Sequence, residues 1–92
     1  MADEQPSPEE LLEQFARLKV TDILLSTMST IAQLGYAKLG EEARDLEQAR
    51  IAIDSLRALL PVLEGNAPEE AARDYRQVVA NLQLAYAEAA AG

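Results

Sequence analysis

Apolar residues recur at helical spacing through most of the chain. In residues 44–64 they fall every three or four positions and form one wide stripe, with charged and amide side chains on the other side. Residues 68–90 repeat this arrangement. A stripe with this period is typical of an amphipathic helix that buries one face, so the pattern predicts two core helices. Their buried faces are expected to comprise Leu46, Ala49, Ala52, Ile53, Leu56, Leu59, Leu60 and Leu63, and then Ala71, Tyr75, Val78, Val79, Leu82, Tyr86 and Ala89.

Residues 8–39 carry two apolar stripes that do not share a phase. Leu11, Phe15 and Leu18 lie on one face of a helical wheel, and the second stripe is rotated from it by roughly 120°. One straight helix would therefore point the two stripes at different neighbours. The segment Val20–Asp22 between them holds two β-branched residues and a carboxylate suited to capping. It predicts a kink or break, or an N-terminal arm that docks elsewhere, such as on a second subunit. The second stripe comprises Leu24, Leu25, Met28, Ile31, Ala32, Gly35 and Leu39.

Short motifs mark where these helices start and stop. Ser7-Pro8-Glu9-Glu10 has the order of a capping box with proline in the first turn. A second Pro-Glu-Glu motif begins at Pro68, with the cap expected at Asn66 or Ala67. Gly40 and Gly65 are predicted as left-handed stops at helix C-termini. The predicted ranges are a flexible acidic segment 1–7, a helical arm 8–19 and helices 21–39, 44–64 and 68–90, with 8–90 forming a single domain.

These elements predict an all-α fold. Three helices joined by short turns favour an up-down-up bundle with a kinked or broken first helix. A chain of 92 residues builds only a modest core, so we expect homodimerisation to complete it, although a monomer is the alternative.

Some apolar residues are left outside the predicted core and form a candidate interface. Ile51, Ala58 and Val62 share the polar side of their helix, and Leu84 points away from the last stripe. The stretch 23–37 has no charged residue on any face, which suits contact with another helix better than contact with water. The predicted interface residues are Leu11, Phe15, Leu18, Ile51, Ala58, Val62 and Leu84.

Composition restricts the function classes. The chain has neither cysteine nor histidine, so disulfides, thiolate or imidazole metal sites, cysteine or histidine nucleophiles and the usual general base are excluded. A net charge of −8 argues against nucleic acid and anionic membranes as partners. The acidic start lacks the basic region of a secretory signal, and no uncharged run is long enough for a bilayer, so a cytoplasmic protein is expected.

The remaining candidate chemistry is better explained by helix structure. Acidic pairs occur at Glu9-Glu10, Glu41-Glu42 and Glu69-Glu70, each near a predicted helix start that favours negative charge. Arg50, Asp54 and Arg57 have the spacing of a solvated ion-pair set. We therefore predict no catalytic, metal or cofactor-binding residue, and no enzyme.

Two blocks of sequence indicate a family. Residues 34–40 read LGYAKLG, and Asp45–Asp54 read DLEQAR-x-AID, the more specific block; LQLAY follows at 82–86. With these blocks the chain resembles the bacterial domain-of-unknown-function family eighteen-forty-four over about Thr21 to Glu88. The turn 41–44 is shorter than in that family, and the match weakens before Val20. The resemblance implies a bacterial, cytoplasmic, all-helical protein without assigned activity or catalytic residues.

Two functions remain after these exclusions. The favoured one is a non-enzymatic, self-associating structural or protein-interaction module with no cofactor. The alternative is a binder of small apolar ligands, with a cavity between the helices lined by leucines, Met28 and Tyr36.

Overall fold

The computed structural model describes residues 5–92, which form four α-helices and contain no strand. This confirms the all-α prediction. The helices are α1 (Pro8–Arg17), α2 (Val20–Leu39), α3 (Leu46–Asn66) and α4 (Glu69–Ala91). Residues 1–4 of the predicted flexible segment 1–7 lie outside the described residues.

The start of α1 follows the predicted capping box. The Ser7 hydroxyl oxygen accepts a hydrogen bond from the Glu10 backbone N–H at 3.2 Å, and the hydroxyl donates to the Glu10 carboxylate at 3.2 Å. This is one half of the predicted capping box: the Glu10 backbone N–H is satisfied, whereas the Glu10 carboxylate pairs with the Ser7 hydroxyl instead of the Ser7 backbone N–H. Pro8 occupies the first helical position, where its missing N–H costs nothing.

The helix is interrupted at Leu18 and Lys19, before the predicted Val20–Asp22 break. α1 ends at Arg17, two residues short of the predicted arm, and Leu18 is its extended C-cap. Val20 begins α2, whose N-cap is Lys19 without a side-chain cap. The capping role expected for Asp22 was therefore wrong. Its carboxylate lies in the first turn, where the helix dipole favours it.

The turn between α2 and α3 runs from Gly40 to Asp45. Gly40 caps α2 with φ −70°, an extended conformation, so the predicted left-handed stop was wrong. Asp45 caps α3 instead: its carboxylate accepts a hydrogen bond from the Gln48 backbone N–H at 3.2 Å, and the helix begins at Leu46 rather than at residue 44.

The predicted stop at Gly65 was also wrong, because α3 continues through Gly65 to Asn66. No glycine among the described residues has a positive φ. Asn66 does not cap the next helix; its amide donates to the Val62 carbonyl in the last turn of α3 at 2.8 Å. α4 begins at Glu69 with Pro68 as its N-cap and without a side-chain cap hydrogen bond.

The core lies between α2, α3 and α4, which contact one another pairwise. Met28, Leu56, Leu63 and Leu82 are completely buried. All residues of the three predicted stripes are buried or half-buried, so the predicted core faces are confirmed. The buried hydrophobic residues are Met28, Ala32, Leu39, Ala49, Ala52, Ile53, Leu56, Leu63, Ala72, Val79 and Leu82.

Gly35 sits where the three helices approach most closely. A Cβ added there would lie 3.2 Å from the Ala52 Cβ and 3.4 Å from Leu82 Cδ2. The missing side chain thus lets α2 pack closely on α3 and α4.

Three long polar side chains join the helices across this core. The Tyr75 hydroxyl of α4 donates to the Leu25 carbonyl of α2 at 3.1 Å. Arg44, in the turn before α3, donates to the carbonyl oxygens of Leu39 at 3.0 Å and Ala89 at 3.5 Å. Cationic groups are favoured at helix C-termini, where carbonyls lack partners. The third such side chain is Arg76 of α4, which donates to the Glu64 carboxylate near the C-terminal end of α3.

Within residues 5–92, the backbone of α1 does not approach α2, α3 or α4 closely, and α1 contributes no buried residue. The molecule is therefore elongated, with extents of 56 × 33 × 17 Å and a radius of gyration of 17.3 Å. A compact chain of this length has a radius of gyration of about 12 Å.

Candidate interaction surface

The first uncovered apolar surface belongs to α1 and its joint with α2. Leu11 and Phe15 project from one side of α1, and the Phe15 side chain is 71% exposed. Leu18 follows at the C-cap and lines an apolar depression with Phe15, Val20 and Ile23. We call Leu11, Phe15 and Leu18 the arm face.

The second surface runs along the outside of α2 and α3. On α2 it comprises Ile23, Thr27, Thr30 and Leu34, at positions i, i+4, i+7 and i+11. On α3 the same spacing gives Ile51, Ser55, Ala58 and Val62. None of these eight residues is charged, and seven are exposed, Ser55 being half-buried. We call this surface the outer face.

A groove between α2 and α3 crosses the outer face at one end. Leu34 and Ile51 line it from the two helices, and they remain 54% and 43% exposed. Lys38 and Gln48 supply its polar rim, and no carboxylate lines it. The remaining lining residues are Ile31, Ala52 and Ser55.

The seven predicted interface residues divide into three places. Leu11, Phe15 and Leu18 form the arm face, and Ile51, Ala58 and Val62 lie on the outer face. Leu84 is exposed on α4, which contributes to neither surface.

Sequence reasoning missed Leu34 and Ile23, which complete the outer face on α2. The signal was available, because both lie in the stretch 23–37 that was recognised as poor in charge. Their spacing of 11 residues equals that of Ile51 and Val62 on α3. Only the packing of α2 on α3 shows that the two rows adjoin.

The charged side chains form structural ion pairs. Arg50 and Asp54 pair at 3.2 Å on the exposed side of α3. Arg76 contacts Glu64 at 2.8 Å and Glu69 at 2.6 Å, and so ties the end of α3 to the start of α4. The hydrogen bonds that Arg76 donates to Glu69 and then to Glu64 raise the pKa of Arg76 above its usual value.

The acidic pairs lie near helix starts, and within residues 5–92 no three acidic side chains are grouped closely enough to hold a metal ion. Glu9 and Glu10 are in the first turn of α1, and Glu69 and Glu70 are in that of α4. Glu41-Glu42 instead lies in the turn that precedes α3.

The two residues predicted to line a ligand cavity do not lie together. Met28 is completely buried in the core, while Tyr36 is exposed and lines an open groove between α2 and α4. The Tyr36 groove holds about 360 Å³ and the groove at Leu34 and Ile51 about 170 Å³, and both are open to solvent. Small-molecule pockets enclose most of their ligand and span about 300–1,000 Å³.

None of the four described helices combines the length and apolarity that a membrane crossing requires.

Comparison with known proteins places most of this architecture in one family. No curated protein and no solved structure matches the chain. A family model described as a domain of unknown function (DUF1844) matches residues 19–88. The match covers α2, α3 and nearly all of α4, and α1 precedes it. The chain therefore belongs to the DUF1844 family, as its sequence blocks at 34–40 and 45–54 indicated.

Proposed function

We propose that the protein is a non-enzymatic helical interaction protein that associates with a second copy of itself. The observation that carries this proposal is the surface left uncovered by the single chain. Its accessible surface is 6659 Å². A compact monomer of the same mass exposes about 5,200 Å².

The difference of about 1,400 Å² has the size of a protein interface. Stable interfaces bury about 800 Å² per partner, and obligate homodimers bury about 1,000–2,500 Å² per partner. The arm face and the outer face are apolar or uncharged, as the centre of such an interface requires.

The proposal keeps the sequence-based expectations of a cytoplasmic protein that binds neither nucleic acid nor membranes. The net charge of −8 supports this, because phosphate backbones and anionic lipids repel such a surface.

Light scattering at micromolar concentration tests the proposal. We expect a mass of roughly twice the chain mass of 10.0 kDa, or a larger multiple. Dilution should shift the species toward monomer in parallel with a loss of helical circular dichroism from α1. A strictly 10.0 kDa species with full helicity at every concentration would refute self-association.

A further inference from the structure

We infer that the two uncovered surfaces cover each other between copies: the arm face of one copy docks in the α2–α3 groove of a second copy. This inference rests on the proposed self-association and specifies the contacts that produce it. It assigns a role to α1, which lies outside the family match.

α1 needs a partner because it buries nothing within its own copy. It has ten residues, and isolated helices shorter than about 12–15 residues are marginal in water. Its cap at Ser7 satisfies the first turn but leaves Leu11 and Phe15 exposed. An apolar surface that receives Phe15 would stabilise the helix and remove its apolar face from water.

A second copy supplies that surface because α1 cannot reach its own groove. Only Leu18 and Lys19 join α1 to α2. If α1 folded back along α2, its ten residues would cover about 15 Å of that helix. Phe15 lies two residues before the end of α1, so it would lie only about 3 Å from the joint with α2. Leu34 lies about 21 Å along α2 from Val20, beyond the reach of the arm face.

The groove fits α1 in charge as well as in polarity. Its rim carries Lys38 without a carboxylate. α1 carries three glutamates and one arginine, so its polar side is negative. With Phe15 against Leu34 and Ile51, the glutamates of α1 face a groove whose charged lining residue is Lys38, while Glu47 and Asp54 of α3 lie outside that lining.

The exposed surface of each copy is also large enough for a stable interface. A symmetric dimer of this kind contains the contact twice, with each arm on the opposite groove. The accessible surface of each copy, 6659 Å², exceeds that of a compact monomer by about 1,400 Å², more than the roughly 800 Å² that a standard interface buries on each side.

Disulfide trapping with the full chain tests the contact, because the sequence contains no cysteine. Phe15→Cys and Ile51→Cys are purified separately, mixed under oxidising conditions and examined on a non-reducing gel. We expect the mixture to give more disulfide-linked species of roughly 20 kDa, twice the chain mass of 10.0 kDa, than either variant oxidised alone, because each alone can link only to its own copies. The matched control pairs Phe15→Cys with Leu84→Cys, an exposed apolar residue outside both surfaces, and should give far less product.

Charged variants give an independent measure of the same contact. Phe15→Asp and Ile51→Asp should each weaken dimerisation at least about tenfold, whereas Leu84→Asp should not. For all three variants the circular dichroism of the chain should retain at least the helical signal of α2–α4, since each site is exposed.

The outcomes separate this inference from the proposed function. A dimer in light scattering that gives no Phe15–Ile51 disulfide in the mixture overturns the arm-in-groove contact and leaves self-association standing. An intramolecular disulfide in a monomeric chain that carries both substitutions shows that the arm folds on its own groove, and overturns the inference. A strictly monomeric parent chain overturns both.

Discussion

The glycines of α2 and α3 offer a sharp test of the packing. Gly35→Ala places a Cβ 3.2 Å from the Ala52 Cβ, which is fixed to the backbone of α3 and cannot rotate away. Leu82, at 3.4 Å, can shift its side chain. Alanine favours a helix over glycine by about 0.5–1 kcal/mol, but overfilling a packed site costs about 1–3 kcal/mol. We therefore expect a net destabilisation of about 1 kcal/mol.

Gly65→Ala is the matched control because it makes the same chemical change in open space. A Cβ added at Gly65 has no atom within 4 Å, and the residue lies inside α3 with a negative φ. The substitution then changes only the helix propensity, which is higher for alanine than for glycine, so it should stabilise the fold by up to about 1 kcal/mol. The two variants should differ by about 2 kcal/mol.

Urea denaturation followed by circular dichroism measures both changes, at one fixed protein concentration and with unchanged slopes. Equal stabilisation by the two alanines would show that α2 and α3 do not approach closely at Gly35. A loss of about 1 kcal/mol in Gly65→Ala would show that Gly65 adopts a left-handed conformation and that α3 ends before it.

Two further stability predictions follow from burial and hydrogen bonding. Leu56→Ala should cost about 2–5 kcal/mol, because the completely buried side chain leaves a cavity, while the neighbouring exposed Arg57→Ala should stay within about 0.5 kcal/mol; equal denaturation midpoints would contradict the core face of α3. Tyr75→Phe removes the donor to the Leu25 carbonyl and should cost about 0.5–1.5 kcal/mol by the same assay. An unchanged midpoint would show that this hydrogen bond contributes nothing to stability.

The core could be predicted from the sequence because each helix carries its own periodic signal. Met28 and Leu56 lie in the middle of stripes that any helical wheel shows, and burial follows from period alone. The Ser7 cap was equally local, since all its groups lie within four residues.

The helix ends were harder to predict because their alternatives are close in energy. Glycine fits a left-handed stop, an extended cap and a helical interior alike, and tertiary packing decides among them. The Asn66 side chain donates to the Val62 carbonyl from within the last turn of α3. This carbonyl therefore has a partner without a left-handed turn at Gly65.

From the sequence, the candidate surface could be predicted only as separate rows of residues, one row on each helix. Ile51 and Val62 stood out because they interrupt the polar side of α3. Leu34 did not, because most of α2 is uncharged and no polar side exists against which it would be conspicuous. Which row of α2 adjoins the α3 row depends on how the two helices are rotated in the packed core, and no local signal specifies that rotation.

The contacts of Arg44 have a consequence for how the fold opens. The Arg44 guanidinium donates to the carbonyls of both Leu39 and Ala89. The last turns of α2 and α4 therefore share one hydrogen-bond donor, although 50 positions separate these two residues in the chain. Helix ends usually fray independently and exchange their amide protons first. Here, opening either end withdraws a partner from the same side chain. The two terminal turns should therefore exchange their amide protons at similar rates, as one cooperative unit formed by the C-terminal ends of the first and last packed helices.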